Sequence, residues 1–148
     1  MPVSKALRRL LRIRDLEEEQ RRNEYEAALG DLNRLRGALT ATDQRERNGH
    51  RLVNSSSRSG EITDRLAGYE EIKTSQRIHE ILIPRVISQE KVAIECQAAY
   101  LEKRIERRQA ETLIEEAEAR ESLEADRRTQ QMLDDWFNSR PAKDKEHS

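Results

Sequence analysis

Cysteine, aromatic residues, glycine and proline are all scarce in this chain. Among 148 residues there are one Cys, one Trp, one Phe and three Tyr, with five Gly and three Pro. So few large apolar side chains argue against a layered core with an enclosed catalytic pocket. So little turn chemistry argues against a β-fold. The lone Cys96 cannot form an internal disulfide. Residues 1–14 carry five basic residues but lack the apolar stretch of a signal peptide. Together these point to a reducing, cytosolic compartment. No apolar run approaches the roughly 20 residues of a membrane span. There is no basic excess either: 28 Lys and Arg against 29 Asp and Glu give a net charge of −1, which speaks against a nucleic-acid partner.

What the chain does have is charge, 39% of its residues, and apolar side chains at helical spacing. That periodicity excludes disorder throughout. The expected class is all-α: two long helices forming an antiparallel coiled-coil hairpin, as one unit over residues 1–148. Helix one is expected from about Ser4 to Asn48. Its seam runs Leu7, Leu11, Arg14, Glu18, Arg21, Tyr25, Ala28, Leu32, Leu35, Leu39 and Thr42 at alternating four/three spacing. Across Arg14 to Arg21 the seam loses its apolar residues, while Leu10, Ile13 and Leu16 lie on an adjacent line. A shift of the stripe is expected there. Gly30 and Gly37 are candidates for close approach to a partner helix.

From about Gly49 to Gly60 the pattern stops, and the Ser-rich run Asn54 to Gly60 reads as a polar loop. Ser59 or Gly60 can cap the next helix. Helix two is expected from about Glu61 to Ser139, ended by Pro141 and a flexible tail over 140–148. Its seam includes Ile72, His79, Leu82, Val86, Ala93, Cys96 and Tyr100, with a neighbouring line of Ile83, Ile87, Ile94, Leu101 and Ile105. Pro84 predicts a kink between Glu80 and Pro84. With Ser57 as mirror point, Leu35 pairs with His79 and Leu7 with Arg107, and helix two overhangs helix one by roughly 30 residues, or ~45 Å.

Three surfaces are candidates for function. The run IHEILIPRVI, Ile78 to Ile87, spreads apolar residues over roughly 240° of the helix, more than one partner helix covers. It reads either as a docking site, with Ile81, Ile83 and Ile87 exposed, or as the best-packed part of the hairpin or a homodimer contact. The cluster Lys5, Arg8, Arg9, Arg12 and Arg14 lies, in the mirrored register, beside Lys103, Arg104, Arg107 and Arg108. Like charges brought together suggest a basic collar for an acidic partner; ordinary solvated faces are the plain alternative. Met132, Leu133, Trp136 and Phe137 form an i, i+1, i+4, i+5 patch on the overhang, an anchor for a partner or a site of self-association. No phosphate loop, metal spacing or nucleophile motif is present, so neither catalysis nor a cofactor is expected. His50, His79 and His147 are far apart in sequence.

A helix of about 45 residues, a short polar loop and a longer helix together resemble the FliJ/YscO family of flagellar and type III export proteins. The likeness is greatest in SGEITDRLAGYEEI (Ser59 to Ile72), in the Arg-rich cadence of Leu101 to Asp126, and in the closing QQMLDDW (Gln130 to Trp136). The resemblance implies a non-enzymatic central stalk whose open end inserts into a hexameric FliI-like export ATPase. It implies an FlhA-like membrane export gate at the loop side, and export chaperones as further partners. The protein would then be peripheral to the membrane through its partners only. On that plan Arg8, Arg9, Arg12, Arg104, Arg107, Arg108, Met132, Leu133, Trp136 and Phe137 meet the ATPase. Tyr69 and Ile72 match family positions near the gate, with Ile81, Ile83 and Ile87 as a possible substitute docking surface. Thr42, Arg45 and Gly49 stand where family members carry larger apolar side chains. A generic coiled-coil scaffold and a prefoldin-like hairpin chaperone are the alternative readings.

Overall fold

The structure, a computed structural model, describes the backbone of residues 3–147 and the side chains of residues 3–140. Two helices make up the fold, α1 (Lys5–Ser59) and α2 (Ile62–His147). They pack as an antiparallel hairpin. Contacts divide the chain into two compact units: Glu19–Leu101, which holds the turn, and the remainder, which joins residues up to Glu18 with those from Glu102 onward.

In the turn-bearing unit, α1 runs eleven residues past the Asn48 expected to end it. The seam runs on past Thr42 into the stretch expected to be loop, where Gly49, Val53 and Ser56 belong to it. Thr42, Glu46, Gly49, Val53 and Ser56 continue the four/three spacing and face α2. Ser56 and Ser75 are fully buried and Thr42 nearly so. The hydroxyls of Thr42 and Ser56 donate to carbonyls one turn back, at Ala38 and Val53, both at 2.8 Å, which lets polar side chains sit in a helix seam. Gly60 ends α1 with a φ of 76°, and its N–H donates to the Ser56 carbonyl at 2.7 Å. That left-handed cap turns the chain in two residues. Gly60 therefore closes α1 rather than opening α2.

Close approach occurs at glycines other than those expected. Gly30 and Gly37 have nothing near their missing Cβ, whereas Gly49 and Gly68 face each other across the seam. Farther from the turn the seam becomes apolar. Ala28, Leu32, Val86 and Ala93 form its buried centre, with Leu35, Leu39 and Cys96 packed against it. Tyr25 and Tyr100 stack at 6.2 Å between ring centres. Arg36 pairs with Glu90 at 3.1 Å, and Asp43 lies 3.5 Å from His79. The helices thus mirror about Gly60, not Ser57. Leu35 packs toward Val86, and His79 meets Asp43 instead of Leu35. α2 keeps its helical run through Pro84, whose ring is exposed.

In the second unit, Ser4 accepts from the Leu7 N–H at 3.2 Å and caps α1. Val3 and Ala110 are buried, and Leu7 and Leu11 half-buried. The seam does not shift here as expected. Arg14 and Glu18 stay on it, while Ile13 and Leu16 are exposed. α2 is half-buried at Ala117 and Glu121, then exposed from Ser122 to Arg140. The unpaired part therefore begins later along α2 than anticipated. Its helix passes Pro141 and runs to His147. Pro141 removes only one backbone bond, and water can satisfy the spared carbonyl of an exposed helix. Ser148, the last residue of the expected tail, lies outside the described residues.

Candidate functional site

The unit built from the two chain ends carries a layer of charge where its seam loses apolar residues. Arg14 reaches Glu17 and Glu106, both at 3.1 Å, and Lys103 reaches Glu106 at 3.1 Å and Glu17 at 3.4 Å. Arg107 pairs with Glu18 and Glu111, and lies 3.8 Å from Asp15. Glu18 is 8% exposed and the Arg107 side chain 23%, so the carboxylate is largely out of water and the guanidinium partly so. Glu18, and less strongly Glu111 and Asp15, hold the Arg107 guanidinium charged well above its ordinary value. Arg14 and then Lys103 hold the Glu17 carboxyl below its usual range. Glu106 and Glu17 raise the Lys103 ammonium.

This arrangement corrects the basic collar. Under the observed register Lys103 and Arg107 face the acids Asp15, Glu17 and Glu18, not Leu7 and the arginines beside it. A shift of a few residues about the turn replaces like-charge contact with opposite-charge contact. Arg107, expected at a partner surface, is a seam residue engaged within the chain. Arg104 is half-buried and Arg108 exposed, and neither is seen in an ion pair.

The N-terminal basic residues do remain open. Lys5, Arg8, Arg9 and Arg12 line one shallow groove of about 220 Å³ on α1. All four are exposed, and none is seen in an ion pair with a described residue. The first turn of α1 holds no acid. Lys5 and Arg8 lie in or beside that turn, at the positive end of the helix dipole, where a cation is disfavoured. A cluster kept there against that cost is suited to an anionic surface.

At the far end of α2 the aromatic patch stands in solvent. Met132 is 72% exposed, Trp136 52% and Phe137 58%, with Leu133 beside them. Trp136 and Phe137 meet edge to face at 5.1 Å, and the Arg140 guanidinium lies 4.7 Å over the indole ring. Neighbouring side chains thus form an apolar knob with a cation at its rim.

In the turn-bearing unit, Tyr69, Ile81, Ile83 and Ile87 are exposed. Ile72 is half-buried in the seam where the spacing puts it, and its side chain occupies the space beside Gly49. Ile62 and Leu66 are both more exposed than Tyr69 and continue its line at i, i+4, i+7. In the sequence these three are separated by polar and small residues, so they form no apolar run. His79 is held at Asp43, a structural position. Among the described residues no group of His, Cys, Asp or Glu could hold a metal. The grooves along the helices, such as the one of about 410 Å³ between Tyr25, Leu32 and Ile94, are open surface features.

These features define a class: an all-helical coiled-coil hairpin whose second helix outlasts the first and ends in an exposed aromatic patch. The chain belongs to the flagellar FliJ protein family, whose model matches residues 4–146, nearly its whole length. It is thus a coiled-coil protein related to flagellar export, in a family of non-catalytic export components. No curated protein and no solved structure matches it. Among the described residues, no helix is long and apolar enough to cross a membrane.

Proposed function

We propose that this chain is the central stalk of the flagellar export ATPase, working at the cytoplasmic face of the export apparatus. The observation that carries this reading is the aromatic knob on unpaired helix. Trp136 and Phe137 sit where α1 no longer covers α2, and a ring of subunits closing around a single helix would bury them. The free basic groove of Lys5, Arg8, Arg9 and Arg12 supports the same end as the ATPase contact, since it suits acidic side chains lining a ring. At the turn, the stripe Ile62, Leu66 and Tyr69 offers a helix-in-groove surface suited to the export gate. Export chaperones are further partners on this reading. On this reading it acts by promoting ring assembly and linking the ring to the gate.

The test uses the export ATPase of the same cell. ATP turnover and ring assembly by light scattering are recorded with the intact chain and with the double variant Trp136→Ala, Phe137→Ala. The stalk reading expects the intact chain to raise both and the variant to raise neither. No effect of the intact chain on either would sink it in favour of a scaffold or chaperone.

A further inference from the structure

In the turn-bearing unit, every large apolar side chain that is exposed lies on α2; the outward face of α1 carries none. Those on α2 are ordered. Ile87, Ile94 and Leu101 form one row at seven-residue spacing, and they are 51%, 65% and 43% exposed. Pro84, Lys91 and Ala98 form a second row, offset by three residues, and are all exposed. Taken together the six positions alternate at three and four residues. That is the spacing of a coiled-coil seam. At about 100° per residue the rows centre roughly 150° around α2 from the seam that holds α1. Arg77 and Glu80, at the preceding positions of the two rows, end the seam in charge.

The two rows differ in size. One is all large and branched; the other offers a ring, a methyl and an aliphatic stem. In an antiparallel pair of identical helices, each row faces the other row of the second copy. Ile87 then meets Ala98 of the second copy, Leu101 meets Pro84, and Ile94 lies along the Lys91 stem. In the outer layers a large branched side chain opposes a smaller one, in the central layer Ile94 lies along the Lys91 stem, and the pattern is its own complement under a two-fold axis. The charges agree. Near the centre stand Glu90, Lys91 and Glu95. Glu90 is already neutralised by Arg36 at 3.1 Å. Lys91 and Glu95 are not seen in an ion pair within the chain. Across the axis each Lys91 can reach Glu95 of the other copy, giving two crossed pairs and no charge left over.

We infer that the outer face of α2 from Pro84 to Leu101 is a self-association surface, on which a second copy of this chain docks antiparallel. The interface is independent of the stalk reading, and its seam is distinct from the one that closes the hairpin.

The experiment is sedimentation equilibrium on the full chain over a wide concentration range, beside Ile94→Lys. The expected result is a monomer–dimer equilibrium that Ile94→Lys weakens by roughly tenfold or more at unchanged helical circular dichroism. Single cysteines introduced in a Cys96→Ala background then test the register. Two copies of Ile94→Cys lie within about 4.5 Å of each other along the axis and should cross-link. Two copies of Leu101→Cys lie roughly 25 Å apart and should not. The pair Lys91→Glu with Glu95→Lys should associate as the natural chain does, and Lys91→Glu alone more weakly. A chain monomeric at every concentration overturns the inference and leaves the face to a helix of another protein. Equal cross-linking at positions 94 and 101, or dimers insensitive to Ile94→Lys, overturns it as well. Loss of ATPase stimulation in the Trp136 and Phe137 variant leaves this result unaffected, so the two readings fail separately.

Discussion

A Cβ placed on Gly49 would come within 2.8 Å of the Gly68 carbonyl oxygen, and one on Gly68 within 2.7 Å of the Gly49 carbonyl. At each position one of the nearest atoms is a backbone carbonyl oxygen, which cannot swing aside as a side chain can. Gly68→Ala should therefore destabilise the hairpin by about 1–3 kcal/mol, the usual cost of overpacking. That outweighs the helix propensity gained, which is at most ~1 kcal/mol. Gly37→Ala is the control of opposite sign. It has nothing within 4 Å, so only the propensity gain remains, and the melting temperature should rise. Thermal unfolding of both variants checks the pair. Equal stabilisation by both would mean that the helices do not approach closely at the turn.

Glu18 and Arg107 should behave as a buried pair rather than a surface one. Glu18→Leu leaves the guanidinium short of its main partner, with only Glu111 and Asp15 to compensate. A loss of ~1–3 kcal/mol in urea unfolding is expected. The double variant Glu18→Leu, Arg107→Leu should recover most of it, because replacing both members of such a pair by apolar residues is often neutral. Additive losses in the double variant would mean the two residues do not interact.

Much of this fold was legible. Ten of the eleven positions assigned to the α1 seam are at least half-buried; Arg21 alone is exposed. The α2 seam from Ile72 to Tyr100 is likewise covered. Four/three spacing survives the substitution of apolar residues by Arg14 and Glu18, so spacing was the better guide there than hydrophobicity, which pointed wrongly to Ile13 and Leu16. The turn was missed for a related reason. Ser56 and Gly49 look like loop residues, but a closely packed helix pair needs small side chains at its seam. Placing the turn too early moved the mirror point and set arginine against arginine, where the folded chain sets arginine against glutamate. The aromatic end of α2 was readable because those residues had no helix to cover them. The line through Ile87, Ile94 and Leu101 was visible too, but nothing in the sequence alone told it from a broad hairpin stripe.

Acid should loosen the hairpin through named carboxylates. Arg45 grips Glu71 with two nitrogens and holds its carboxyl below the usual range, as Arg14 does for Glu17. A carboxyl whose folded value is depressed contributes stability above its unfolded value, about 4.3 for Glu. That contribution is lost as the pH falls through the lower folded value. The melting temperature should therefore be insensitive to these groups near neutrality and fall on acidification below about pH 4. Glu17→Gln with Glu71→Gln should start lower and show a shallower acid slope. An unchanged slope would place the acid sensitivity elsewhere.

The single Trp136 makes the free end of α2 its own reporter. At 52% exposure, and beyond the reach of α1, it should emit as a water-exposed indole and be readily quenched by iodide. Backbone amides from Ser122 to Arg140 should exchange far faster than those of the Ala28–Leu39 seam, since an unpaired helix is held by its own hydrogen bonds alone. Addition of the export ATPase should shift the emission to the blue, suppress quenching and slow exchange in that segment only. Arg140→Ala removes the cation over the indole, 4.7 Å away, and should raise accessibility to neutral quenchers in the free chain. Its effect on binding should be smaller than that of Phe137→Ala, because a solvated cation–π contact is worth ~0.5–1 kcal/mol while a buried aromatic anchor is worth more. Protection spread evenly along α2, with the Trp136 emission unmoved, would place the ATPase contact away from the aromatic knob.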